Sequence, residues 1–555
     1  MRGLLTSSIG VTCAAALALP LTPPASAAPA PTAPSAEAAS VVAPDAPGLS
    51  GSTQSLPFTP LTRDRAARVA AVQGVSRRDV RPFSLLGVVW DDPDTDLAGT
   101  VQVRTRGTGT GVWTGWQDVE THYADHGADP DSAERASGHP RGATAPLWVG
   151  DSDGVEVRVR PDAAHRAEGT VRGTRTPAAS APLPAGLRLE LVDPGDTTTA
   201  ADRSKPAEAV PDTDTAVPDT AVPDAVFPDA PDTATSDRHG ADAPSGHTAD
   251  FLSAAALSEG TVLTADPATT RTAPSAHSAR SIGAGTPRTA SAASAASAAS
   301  AVSAVSPSVA ASAANAPLAP LGASEISALD AAGTRSELFA LRGGELTKAQ
   351  RAKPYIGPRP RIVTRHGWGA DEKLRESGFR YTSTVKAAFV HHSATGNSYK
   401  CSQAPSVIRS IYRYHVKSLR WRDIGYNFVV DKCGTIYEGR AGGVAKAVLG
   451  AHTLGFNSNS TGIAVLGTFT STKPSSATVK AVASLTAWKL GLFGGNPKGK
   501  TYLKSGGGNL YPKGKNVRLN VISGHRDGFA TECPGRQLYG KLASARKTAA
   551  GYQGR

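Results

Sequence analysis

The sequence predicts two folded units of different class joined by a long low-complexity segment. The first is an all-β domain over residues 82–194, and the second an α/β domain over residues 354–548 with a central mixed β-sheet flanked by helices. Three observations predict this. Apolar residues alternate with period two through the first region, Pro, Asp, Ala and Ser repeat through 196–344, and short β-type runs alternate with helix-type runs from Pro354 onward. A chain of 555 residues is long for one domain, so two units plus connecting material fits its length.

Residues 1–27 read as a cleavable secretory signal. Arg2 precedes an apolar run with Leu4, Leu5, Ile9, Val11 and Leu17 to Leu19, and Ala25-Ser26-Ala27 supplies small residues for cleavage. Thr6, Ser7, Ser8 and Pro20 break the run, which is short for a membrane anchor, and no other stretch is long and apolar enough to cross a bilayer. Export is therefore expected, with no transmembrane segment after cleavage.

Within 82–194 the strands are expected at Leu85 to Trp90, at Val101, Val103 and Thr105, at Leu147 to Val149, at Val155, Val157 and Val159, and at Leu187, Leu189 and Leu191. Trp90, Trp113, Trp116 and Trp148 could form a sugar-stacking face, although core packing is the commoner fate of tryptophan in a small β domain. Segment 196–344 contains Val210-Pro211-Asp212-Thr213, Val217-Pro218-Asp219-Thr220 and a Ser-Ala-Ala period from Ser291 to Ser300. Such repeats bury too little apolar surface to offset chain ordering, so an extended disordered spacer is expected, with local helix possible in its Ala-rich part.

In the α/β domain, Lys386 to Val390 reads as a strand and Pro405 to Ser418 as an amphipathic helix, with Val407, Ile408, Ile411, Tyr412 and His415 on one face. Tyr426 to Glu438 reads as a hairpin turning at Lys432-Cys433-Gly434. A strand at Gly462 to Phe469 follows, then a helix capped by Ser475, a strand near Val517 to Ser523 and a last helix from Arg536.

Charge divides the chain. Residues 351–555 hold 33 Lys plus Arg against 8 Asp plus Glu, and the remainder holds 26 against 39, so the overall +12 conceals a +25 domain and a −13 remainder. A basic exported domain is drawn to polyanions, and outside a cell wall polymers, anionic lipid surfaces and stray nucleic acid are the candidates, among which charge alone does not choose. No nucleic-acid fold signature accompanies the charge, so nucleic acid is not expected as a partner.

Of four cysteines, Cys13 leaves with the signal, so Cys401, Cys433 and Cys533 remain. Count and position make Cys401 and Cys433 the disulfide candidates, while leaving open that either is free. Cys533 is then the odd thiol, and a lone thiol in an oxidising compartment is often held by a metal. His525 lies eight positions before it, across a loop that could turn both side chains to one point. Val390-His391-His392, at the end of another strand, offers a third ligand. Two imidazoles and one thiolate leave the fourth tetrahedral position of Zn²⁺ to water, the arrangement of a catalytic site.

Six segments carry a resemblance: Arg365-His366-Gly367-Trp368-Gly369-Ala370, Val390-His391-His392-Ser393-Ala394-Thr395, Asp423-Ile424-Gly425-Tyr426-Asn427-Phe428, Gly434-Thr435-Ile436-Tyr437-Glu438-Gly439-Arg440, Gly450-Ala451-His452-Thr453-Leu454-Gly455-Phe456-Asn457, and Gly524-His525 through Cys533-Pro534. In order and spacing they resemble the peptidoglycan recognition protein family, which overlaps the type 2 N-acetylmuramoyl-L-alanine amidases and T7 lysozyme. The resemblance implies that His391, His525 and Cys533 hold zinc, with His392 turned to the opposite face of the strand. It implies that Tyr426 is the catalytic tyrosine and that Thr531 occupies a position where some members carry lysine. It implies that His452, Asn457 and Trp421 fall in segments that line the substrate groove in that family, although each could equally be a structural residue. The activity implied is hydrolysis of the amide between N-acetylmuramic acid and L-alanine in peptidoglycan by a secreted, wall-associated, monomeric enzyme. The alternative is recognition of peptidoglycan without hydrolysis, as in members that lack the thiolate ligand.

Overall fold

The computed structural model describes residues 51–61, 72–121, 123–162, 182–195 and 305–555. The expected signal at 1–27 and residues 196–304 of the expected spacer lie outside the described residues.

The N-terminal domain is an antiparallel β domain. Gln73–Trp90 runs through its centre as one 18-residue strand, flanked by Leu147–Pro161 and Arg188–Asp193. Gly99–Gly107 and Gln117–Val119 extend the sheet at one side, and Ser52–Pro57 closes the other. The domain thus begins before residue 82. Ser52–Pro57 is a half-exposed edge strand rich in polar residues, so it shows no clear alternation. The first part of Gln73–Trp90 carries exposed Arg77, Arg78, Asp79 and Arg81, and register shifts between Val75 and Phe83 interrupt its period. Trp90 and Trp148 are buried. Trp113 and Trp116 lie under arginines instead, with the Arg77 guanidinium 4.3 Å from the Trp113 ring and that of Arg158 4.0 Å from Trp116. The four do not form one open stacking face.

Residues 305–344, expected within the spacer, are folded. Ser306 caps a helix at Pro307–Ala313, and Asp330 caps Ala331–Arg342 by accepting from Gly333 N at 2.7 Å. Glu325–Ile326 adds an antiparallel strand to the C-terminal sheet beside Ile362–Val363. Ile326 and Leu338 are buried in that domain's core. The capped, alanine-rich stretches favour helix, and these isolated apolar residues anchor them, a signal that the surrounding repetition hid.

The C-terminal domain is built on a seven-stranded mixed sheet in the order Ile522–Gly524, Ala387–His392, Ser460–Val465, Phe428–Val430, Ile436–Glu438, Ile362–Val363, Glu325–Ile326. Ala387–His392 pairs parallel with both its neighbours, and Phe428–Val430 pairs antiparallel with Ile436–Glu438 across the expected hairpin. The strand expected near Val517 to Ser523 is two. Asn516–Asn520 pairs with Lys500–Lys504 in a separate ribbon, and only Ile522–Gly524 joins the main sheet. Val521 is the switch point, donating to Gly499 O at 3.0 Å while its carbonyl accepts from Ala388 N at 2.8 Å.

Helices cover both faces. Ser476–Gly491 begins at Ser475, whose hydroxyl oxygen accepts from Thr478 N at 3.0 Å, and packs with Leu542–Tyr552 over Val390, Ile463 and Ile522. Ala404–Arg413 covers the other face and continues as a π-helical turn, Tyr414–Ser418. Its expected apolar face is buried, and much of that burial is against the N-terminal domain. Leu85, Val89, Tyr123, Trp148 and Val192 share one core with Val407, Ile408, Ile411, Tyr414 and Trp421. Gly87 faces the Tyr414 ring so closely that a Cβ would lie 2.3 Å from its hydroxyl oxygen.

Cys401 and Cys433 form a disulfide between positions 32 apart, tying the start of the covering helix to the hairpin turn. Loop-closure entropy predicts that Cys401→Ser/Cys433→Ser lowers unfolding free energy by about 3–4 kcal/mol, read as a lower midpoint in urea.

Candidate metal centre

Strand register builds the site. Val390 lies opposite Gly524 in the parallel pair, so the next residues, His391 and His525, emerge side by side with ring centroids 4.5 Å apart. Alternation sends Ala388 and Val390 into the helix-covered core, while Phe389 and His391 face the other way against His452. His392 returns to the opposite face, where its Nδ1 accepts from Phe469 N at 3.4 Å. The loop after His525 is folded back by Arg526 N donating to Cys533 O at 3.0 Å. That closure brings Cys533 Sγ within 3.8 Å of His391 Nδ1.

A fourth donor comes from the N-terminal domain. His126, at the end of the short 3₁₀ turn Ala124–His126, places Nε2 at 3.7 Å from Cys533 Sγ. Donor atoms of His126, His391, His525 and Cys533 all lie within 4.8 Å of one another, and all four residues are buried. An N–S edge of a tetrahedron around zinc is about 3.6 Å, so the two sulfur distances suit one shared ion. The nitrogens are aimed accordingly. His126 Nδ1 donates to Asp125 Oδ1 at 2.7 Å, leaving Nε2 for the cluster. His525 Nε2 donates to Asp125 O at 3.2 Å, and its buried Nδ1 has no hydrogen-bond partner among the described residues. His391 Nε2 lies 3.4 Å from the Thr453 hydroxyl, which leaves Nδ1. The donor set therefore fits zinc.

Electrostatics agree with this fit. Burial, reinforced by the neighbouring imidazoles, lowers the His391 pKa well below its ordinary value, and burial takes His525 to about 3 against the pull of Asp125. Both rings are thus neutral, as metal ligands must be. Burial would raise the Asp125 carboxyl, but His126 and His525 hold it below the usual range, with smaller help from Thr531. Burial and Asp125 together push the Cys533 thiol up. A divalent cation would reverse that and balance one thiolate and one carboxylate in a buried site.

Beside the cluster runs a relay of neutral donors. Gly425 N donates to His415 Nδ1 at 3.1 Å, so His415 Nε2 carries the proton and donates to the Tyr123 hydroxyl at 2.7 Å. Tyr123 then donates to the Tyr426 hydroxyl oxygen at 3.1 Å, leaving the Tyr426 proton free to point elsewhere. Tyr426 contacts both the His391 ring, at 5.6 Å, and the His126 ring, at 5.9 Å.

The residues anticipated for the site largely converge on it. His391, His525, Cys533 and Tyr426 meet, and Thr531 lies beside Asp125, accepting from Cys533 N at 3.3 Å. His452 is fully buried behind His391, with ring centroids 5.3 Å apart and its ring 3.3 Å from the Ser460 hydroxyl. Asn457 orders the backbone by accepting from His452 N at 2.7 Å, and donates to Gly127 O at 3.0 Å. Trp421 stacks parallel on Tyr123, with centroids 6.2 Å apart. Tyr123, Asp125 and His126 were not anticipated. Their stretch, Tyr123-Ala124-Asp125-His126-Gly127-Ala128-Asp129, lies between strands and has no apolar period, and its His126 stands 265 positions before His391. Its legible features are the four-residue spacing of His122 and His126 and an Asp-His pair next to a glycine.

Comparison with known proteins places these residues in context. Residues 381–536 match a family model described as N-acetylmuramoyl-L-alanine amidase, and residues 26–183 match one described as Rv3811 N-terminal galactose-binding domain-like. Peptidoglycan-recognition protein SC2 of Drosophila simulans is 30% identical over 183 residues, covering 33% of this chain and 84% of its own. Peptidoglycan-recognition protein 1 of Holotrichia diomphalia is 29% identical over 196 residues, covering 35% and 84%. Among solved structures, wild-type Drosophila PGRP-LB matches with 25% identity and a TM-score of 0.27, covering 33% of this chain and 92% of that one.

The segment carrying His126 is held by a buried ion pair, Glu134 with Arg440 at 2.6 Å. Glu134→Ala leaves the guanidinium buried without its carboxylate and is expected to cost about 3–5 kcal/mol in urea unfolding. Glu134→Gln, which keeps the volume and a hydrogen-bond acceptor, should cost less.

Proposed function

Because the chain belongs to the peptidoglycan-recognition protein family, we propose that it is an exported, zinc-dependent amidase that hydrolyses the bond between N-acetylmuramic acid and L-alanine. The observation that carries this reading is the convergence of His391, His525 and Cys533 next to Tyr426. A recognition protein has no need of a thiolate, two neutral imidazoles and a directed phenol at one point.

His391, His525 and Cys533 would hold the metal. Zinc, when bound, would supply Lewis acidity toward a carbonyl and a water. Thr453 fixes the His391 ring through Nε2, and the Asp125 carbonyl fixes His525 through its Nε2. Tyr426 is the catalytic tyrosine. Its hydroxyl proton is available to the oxygen on which negative charge develops as the carbonyl is attacked. Burial raises the Tyr426 pKa well above its ordinary value, so the group stays a donor across the working range. Thr531 is neutral where some relatives carry a cation, so of this chain's own residues Tyr426 is the one that donates to the oxyanion.

The setting is the cell wall. The Cys401–Cys433 disulfide suits an oxidising compartment, consistent with the signal read in residues 1–27. The +25 charge of residues 351–555 favours residence on anionic wall polymers. Among the described residues, no helix is long and apolar enough to cross a membrane.

One observation favours a second reading. Four protein donors make a closed set of the kind found in structural zinc sites, which suits recognition without hydrolysis. Since Tyr123 and His126 cover the site, the deciding assay uses the full chain carrying Tyr123→Ala/His126→Ala on insoluble peptidoglycan, with products read by mass spectrometry. Free stem peptides beginning with L-alanine, lost under a zinc chelator or on adding Cys533→Ala, are expected. Tyr426→Phe in the same background should lower kcat about 10²–10³-fold. Intact wall retaining bound protein would overturn hydrolysis in favour of recognition.

A further inference from the structure

We propose that His126 is a displaceable fourth zinc ligand donated by the N-terminal domain, and that the docked chain is a latent form of the amidase. The proposal rests on the zinc reading above and assigns a metal-site role to a residue outside the amidase domain.

The geometry is that of a built ligand. His126 Nε2 is 3.7 Å from Cys533 Sγ, its ring centroid is 4.5 Å from that of His525, and the Asp125 carboxylate holds Nδ1 at 2.7 Å. A carboxylate on the far nitrogen is the usual orienting partner of a metal-bound imidazole. A histidine in a chance contact would not need one. With His126 bound, the tetrahedral set is complete and no position is left for the water that hydrolysis needs.

The surrounding segment lies against the candidate catalytic tyrosine as well as the cluster. Tyr123 takes the hydrogen bond from His415 and donates to the Tyr426 oxygen, so its ring stands beside the phenol whose proton would serve the reacting oxygen. Leu454 N donates to Asp125 O at 2.8 Å, Asn457 Nδ2 donates to Gly127 O at 3.0 Å, and Asp129 Oδ1 accepts from Gly455 N and Asn457 Nδ2, both at 2.7 Å. Two backbone carbonyls of the turn and its exit, and the Asp129 side chain, thus tie residues 125–129 to residues 454–457. His126 sits on a three-residue turn between loops and not on the β-sheet, so it can leave without breaking a strand.

The test uses the full chain loaded with cobalt(II), whose visible spectrum reports coordination number and ligand type. In the native chain the spectrum of a closed sulfur-and-three-nitrogen site should not change when acetohydroxamate is added. In His126→Ala it should shift and then respond to acetohydroxamate, and zinc affinity measured by chelator competition should fall about 10–100-fold. Asp129→Ala keeps all four ligands and removes two anchors of the segment, so it guards against misfolding of the ligand variant. It should give a native-like spectrum that now responds to acetohydroxamate. Wall hydrolysis by His126→Ala should exceed that of the native chain by about tenfold or more. A native spectrum that responds to acetohydroxamate as strongly as the variant's overturns latency while leaving the zinc reading intact. A native chain that takes up no stoichiometric metal overturns both.

Discussion

The parallel pairing of Ala387–His392 with Ile522–Gly524 is the constraint from which the site follows. Side chains alternate along a strand, so a slip of one residue would send His391 into the helix-covered core and bring His392 round in its place. The register is held by what lies on either face. Ala388 and Val390 fit beneath Ser476–Gly491, and Phe389 packs on Phe456 and His452. The clustered donors His391 and His525 are thus placed by apolar packing. The same packing keeps His391 and His525 neutral, because a charged ring there would be buried at high cost.

Much of this was legible in the sequence, and what was missed has a common physical origin. Local patterns announced their elements: Ser475 marked a helix start, the Lys432-Cys433-Gly434 turn marked the hairpin, and the odd cysteine pointed to Cys533 beside His525. Three ligands from two segments came within reach because each segment lies at a strand end. The long Gln73–Trp90 strand was read short because its charged, bulged half obeys no period. The helices of 305–344 were hidden by low-complexity neighbours, since two anchoring apolar residues, Ile326 and Leu338, cannot outweigh a repetitive background. His126 was invisible for another reason. It belongs to a loop, and its meaning depends entirely on a tertiary contact across 407 positions.

The division of charge acquires a physical use in the folded chain. Acidic residues between positions 129 and 134 meet the basic domain at Arg440, at Lys513, and at the backbone donor of Gly455. Attraction of this kind guides two surfaces into register but contributes modestly at exposed pairs such as Asp131 with Lys513. Buried contacts supply the rest: the Glu134–Arg440 pair, the stacking of Tyr123 on Trp421, and the shared core beneath the helix Ala404–Arg413. The site is covered by a surface with both steering charge and apolar adhesion.

That shared core also bears on how the protein is made. During synthesis the N-terminal domain emerges first, and Leu85, Val89, Tyr123, Trp148 and Val192 have no apolar cover until residues 404–426 arrive. For that interval it carries a bare hydrophobic patch, the kind of surface on which immature chains adhere to one another. The long stretch between the domains sets how long the interval lasts, and shielding of the patch meanwhile limits adhesion between chains. Dividing the gene at that stretch would make the exposure permanent on both halves, so the two domains are better regarded as one folding unit written in two separated passages.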